Sequence, residues 1–166
     1  MTHLLVAQLR FTRSEFVRAY EGVSAEDAGQ HFGPMNSLSW IVGHLAWHEQ
    51  LYWIERSQGK VLIPDLHQYG FGAPPSTPPL DAMWQAWYTV TLAADAYLDT
   101  LTPELLQGTW TAPNAPTGEN IGTRLLRMIY HYWYHLGESQ AIRQLINNDD
   151  LPSFIGNISA YPYQPE

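Results

Sequence analysis

The segments HLAWH and HYWYH each place two histidines four residues apart, His44 with His48 and His131 with His135. On a helix that spacing puts both imidazoles on one face, one turn apart, where they can converge on a single ion. HExxH zinc helices use the same geometry. Here Tyr132 follows His131, so the general base of a zinc protease is missing. A bare HxxxH is a weak signal, and a second one on a separate helix strengthens it. Facing helices of a bundle can supply ligands to a central site, and three or four imidazoles suit a divalent ion. The competing reading is a polar layer of core histidines bonded to tyrosine hydroxyls. Spacing alone leaves these two readings open.

The remaining composition narrows the chemistry. The 166-residue chain has no cysteine, so disulfides, thiolate zinc sites, iron–sulfur clusters and cysteine nucleophiles are excluded, and any metal must be held by nitrogen and oxygen. Sixteen acids against eight bases give a net charge of −8, which argues against a nucleic-acid partner because no positive footprint can form. No polybasic stripe points to a membrane surface, and no apolar run approaches the ~20 residues of a span. The N-terminal MTHLLVAQLRFTRSEF lacks the pattern of a signal peptide, and the expectation is a cytoplasmic protein. The length suits one domain over residues 1–166.

The elements that must position the histidines are helical. Helices are expected at roughly 2–21, 37–57, 78–101 and 120–147, with an extended tail over 149–166, giving an all-α four-helix bundle with long connecting loops. Leu5, Leu9, Phe16 and Tyr20, with Leu4 and Val6 beside them, approximate a stripe on the first helix. Ser24 can cap a short following turn, Asn36 or Ser37 the second helix, and Thr77 the third. Residues 58–79 hold five prolines and three glycines, and TWTAPNAPTGEN is likewise irregular. Loops this long are often functional.

Two stretches carry a resemblance. NSLSWIVGHLAWHEQLYW resembles the second helix of the DinB/YfiT-like metalloenzyme family, and YHYWYHLGESQAIRQL resembles its last bundle helix. The resemblance implies a four-helix bundle holding a divalent ion, zinc or nickel, on a histidine triad of His44, His131 and His135. It leaves a coordination position open, as in catalytic sites. His48 lies outside that triad, as a supporting group or packed among Trp47 and Tyr52. Glu138 replaces a frequent glutamine of the family; it either orients His135 or faces solvent.

Other residues are weighed on position. Arg124, seven before His131, shares its face and is a candidate for meeting an anionic substrate, with a salt bridge at the helix start as the alternative. Trp40 and Met128 are core or pocket wall, Trp84 and Trp87 core, and His3 and His31 surface groups. His67 is a loop histidine, exposed or folded over the site. Glu49 points away from the metal face and is expected in solvent. The resemblance implies an S-transferase in which the metal activates a low-molecular-weight thiol of the bacillithiol or mycothiol type toward a small electrophile, the thiol supplying the sulfur this chain lacks. The alternatives are a non-catalytic, stress-related metal-binding bundle, and a metal-dependent hydrolase. An apolar, aromatic-rich helix surface would allow a homodimer.

Overall fold

The computed structural model describes residues 2–110, 118–146, 150–153 and 155–163. Four long helices form the frame: α1 (Leu4–Ala19), α3 (Leu38–Gln50), α4 (Leu80–Leu98) and α6 (Ile121–Leu145). Two short ones, α2 (Ala25–Ala28) and α5 (Pro103–Gln107), punctuate the connections. No strand occurs among the described residues. The chain is all-α, with α3 packed on α4 and α1 on α6, and α3 also meeting α6.

Local chemistry explains where the helices start. Ser37 caps α3 by accepting from the Trp40 amide at 3.1 Å, and Asn120 caps α6 through the Thr123 amide at 2.7 Å. Ser24 and Thr102 do the same for α2 and α5, while His3 Nδ1 accepts from the Leu5 amide to open α1. Thr77 does not cap α4. That helix begins after Pro79 with no side-chain cap, proline's fixed φ suiting an N-terminus. On α1 the buried stripe runs through Val6, Leu9, Phe16 and Tyr20, whereas Leu5 is only half-buried, one position off the face that α6 covers.

After Gln50 the helix that carries His44 widens into a π-helical stretch, Leu51–Arg56. Such stretches are rare and concentrate at functional sites. This one buries Trp53 completely and brings Tyr52 against His48, ring centroids 4.4 Å apart. The proline- and glycine-rich connection that follows forms a 3-10 turn, Pro64–Tyr69, which packs on α3 at Gly43. A Cβ on Gly43 would lie 2.6 Å from Met83 Sδ and 3.0 Å from the Tyr69 ring, so the close approach requires glycine.

The irregular segment expected over residues 109–120 falls largely on positions 111–117, outside the described residues. The described part of the tail is mostly extended, with a 3-10 turn at Ile158–Ala160. It is tied to α1 by the Gly156 amide donating to Glu15 and by the Arg18 guanidinium donating to the Ser153 carbonyl.

Candidate metal centre

His44 arrives from α3, and His131 and His135 from α6. Their ligand nitrogens all lie within 4.8 Å of one another, an arrangement that could hold a metal ion. His131 Nε2 is 3.2 Å from His44 Nε2 and 3.0 Å from His135 Nε2. Two tetrahedral imidazole ligands at zinc would stand ~3.3 Å apart, from Zn–N bonds of about 2.0–2.1 Å. The observed spacing fits.

The outward nitrogens decide what the inward ones offer. His44 Nδ1 is 2.6 Å from the Tyr69 carbonyl oxygen, which can only accept, so Nδ1 carries the hydrogen and Nε2 of the neutral ring keeps its lone pair. His135 Nδ1 donates to Glu138 Oε2 at 2.7 Å, again turning the lone pair of the neutral ring inward. His131 Nδ1 meets His48 Nδ1 at 2.5 Å. Each of the three rings thus spends Nδ1 on a supporting partner and aims Nε2 at the other two. Metal-ligating histidines show this habit, their second nitrogen held by a carboxylate, carbonyl or similar group.

Electrostatics agree with neutral rings. Burial pulls His44 down to about 4, opposed by its bond to the Tyr69 carbonyl and aided by the charge of His135. Burial also lowers His131 to about 2, reinforced by His48, His135, His44 and Arg127. His48 falls to about 3, chiefly by burial and then by the charges of His44 and Arg56. Glu138 is pushed up by burial, and its bond to His135 outweighs that and holds the carboxyl below its ordinary value. Imidazoles kept unprotonated at neutral pH are imidazoles free to bind a cation.

The centre opens onto two cavities. The larger, about 730 Å³, is walled by His44, His48 and His131 with Trp47, Tyr52 and Tyr134 among the aromatics. The smaller, about 390 Å³, reaches His44, His131 and His135 from the side of Asn36, Trp40 and Glu138. Phe71, 95% exposed between Gly70 and Gly72, borders both.

The structure therefore brings His44, His131, His135, His48 and Glu138 together. Trp40 joins them, stacked on His44 with centroids 4.8 Å apart and planes 11° from parallel. Met128 is wholly buried in the core and borders neither cavity. Arg124 is buried, ion-paired with Glu119 at 2.9 Å, and lies behind the wall. Arg127, four residues before His131, faces the larger cavity instead. His67 stays exposed, accepting from Trp47 Nε1 at 3.4 Å.

One expectation is reversed. Glu49 does not face solvent: it is completely buried and takes two contacts from Arg13, at 2.7 and 2.5 Å. The direction away from the histidines is the bundle interior, where α1 supplies the guanidinium. The Tyr69 carbonyl had no signature in the sequence, since any residue offers one.

The comparisons with known proteins agree with this architecture. A crystal structure described as that of a conserved protein from Enterococcus faecalis superposes with a TM-score of 0.63 at 16% identity, covering 90% of this chain and 98% of that one. At that identity the likeness carries the fold alone. No curated protein matches the sequence. The family model of the DinB superfamily matches residues 8–139, a span that takes in His44, His131 and His135. The chain belongs to the DinB superfamily.

Proposed function

We propose that this protein is a metal-dependent enzyme in which His44, His131 and His135 bind a divalent ion, zinc or nickel, for the transfer of a low-molecular-weight thiol to a small electrophile. The observation that carries the reading is the convergence of three Nε2 atoms, each with Nδ1 already committed, on the wall of an open cavity. Three protein ligands facing an open space suit catalysis better than a closed structural shell.

The ion would supply Lewis acidity, lowering the pKa of a thiol that reaches it. The chain's own residues do the positioning. The Tyr69 carbonyl and the Glu138 carboxylate fix the rings of His44 and His135, and His48 supports His131. Trp40, flat against His44, shields one face of that ring from water. With no cysteine in the chain, the sulfur must come from the cosubstrate.

The test is elemental analysis of untagged protein beside His131→Ala, followed by conjugation assays pairing thiols with aryl halides and epoxides. Near-stoichiometric metal lost in the variant, with thiol-dependent turnover that metal removal abolishes, is the expected result. Metal-dependent ester cleavage without any thiol would replace transfer by hydrolysis, and equal, negligible metal in both proteins would overturn the reading entirely.

A further inference from the structure

Basic residues are scarce in this chain, eight against sixteen acids, yet three of them gather beside the larger cavity. The guanidinium carbons of Arg56 and Arg124 lie 5.2 and 5.6 Å from the centroid of the Tyr52 ring, which forms part of the wall. Arg127 lines the cavity directly, its side chain about half exposed. Glu119 serves two of the three, pairing with Arg124 at 2.9 Å and accepting from both Nε (3.2 Å) and Nη2 of Arg127. Counting Glu55 as well, which acts on Arg56, three positive charges face two negative ones and leave one in excess. A surplus positive charge at the wall of a cavity favours an anionic group there.

Apart from the histidines and Thr123, the rest of the wall is apolar and aromatic: Trp47, Phe71, Leu126, Tyr130 and Tyr134 join Tyr52. Tyr130, Tyr134 and Phe71 are 65%, 71% and 95% exposed, far more apolar ring surface than a solvated face needs. A volume of about 730 Å³ falls within the ~300–1,000 Å³ of small-molecule sites. Arg127 lies one helical turn before His131 on α6, and both line this cavity. An anion bound at Arg127 would therefore place its apolar body beside His131.

We propose that the larger cavity binds a reactant made of an apolar or aromatic body and an anionic group, the anion recognised by Arg127 and the body held by the Tyr130–Tyr134–Phe71 wall. The identity of this molecule as a reactant rests on the function proposed above; its binding does not. The smaller cavity, on the far side of Phe71 and Tyr134, leaves separate room for a second molecule at the same histidines.

The probe is 4-phenylbutyrate against the uncharged 4-phenylbutanamide, titrated calorimetrically into the full chain with and without zinc. Arg127→Gln and Arg127→Lys are titrated alongside, with metal content measured for each. The acid is expected to bind at least about tenfold more tightly than the amide. Arg127→Gln should erase that preference, Arg127→Lys should retain most of it, and zinc content should be the same in all three proteins. Equal affinities for acid and amide would overturn the proposal. So would a preference for the acid that needs zinc and survives Arg127→Gln, because the ion would then be taking the carboxylate. If the native protein binds no zinc the function proposed above fails, and the comparison of acid with amide in metal-free protein still decides this one.

Discussion

Two polar clusters lie back to back across the same pair of helices, and they are built on opposite plans. His48 and His131 turn toward the cavity, while their immediate neighbours Glu49 and Tyr132 turn into the bundle. In the inner cluster Arg13 donates to both oxygens of Glu49, Tyr132 donates to Glu49 at 2.8 Å, and Trp87 donates to Tyr132 at 2.7 Å. Asp95, nearer the surface, pairs with Arg13 at 2.9 Å. Every positive charge there meets a negative one within the protein. The outer cluster has four imidazoles and a single carboxylate, with lone pairs aimed at one another. A network complete in itself organises a core. A network of converging acceptors is complete only with a cation.

The sharpest way to break the comparison is to unbalance the inner cluster. Glu49→Ala leaves buried Arg13 with only the partly exposed Asp95 and should cost about 3–5 kcal/mol of folding stability, read from denaturant midpoints. A loss under about 1 kcal/mol would mean the pair is not the closed network described.

Next in size is His131→Ala. In metal-free protein it should change stability little, since that ring is held among acceptors. The stabilisation given by added zinc, about 2.7 kcal/mol at a hundredfold excess over Kd, should vanish. Thermal melts with and without zinc make the comparison, and a variant that gains as much from zinc as the native protein would contradict it.

Glu138→Gln removes the charge behind His135 while keeping an acceptor, and should weaken metal binding by about 10–100-fold with little change in fold. Competition with a chelator of known affinity measures this. An unchanged affinity would return Glu138 to the role of a bystander.

The smallest effect is a slope with pH. His44, His48 and His131 titrate lower in the fold than the ordinary value of 6.5, so below that value the unfolded chain takes up protons first. Metal-free stability should hold above about pH 6.5 and decline as pH falls toward 4. Each ring contributes at most about 1.4 kcal/mol per pH unit. The depressed Glu138 acts in the same direction, its contribution also being lost in acid. Melts at pH 7.5, 6 and 5 should show the decline in the native protein and a flatter profile in His44→Gln/His131→Gln.

The sequence made some of this legible and hid the rest for physical reasons. Periodicity and caps place the four long helices to within a few residues, because Ser37, Asn120 and the glycine–proline punctuation act locally. Paired i, i+4 histidines bring two helices to one site, but spacing alone does not separate His44 from His48. Only the depth at which α3 meets α6 puts His48 behind His131 rather than beside it. For Glu49 the expected direction holds but its surroundings differ, and of the two readings of Arg124 the structure has the salt bridge with Glu119. A helical angle tells which residues face together, not whether the opposite side is water or another helix. Arg13, far away in sequence, decides the first case, and Glu119 with Tyr52 the second.

The hydrogen bond from His44 to the Tyr69 carbonyl spans 25 residues of chain and is a structural lever as well as a support. It works only while His44 keeps its hydrogen on Nδ1, the tautomer that an ion on Nε2 would lock. Occupancy of the centre should therefore be felt in the backbone of the proline-rich connection. Amide hydrogen exchange around residues 66–73 should slow on zinc addition, and should stop responding in His131→Ala. A segment that looks like a mere connection would then report, in its own protection, whether the centre is filled.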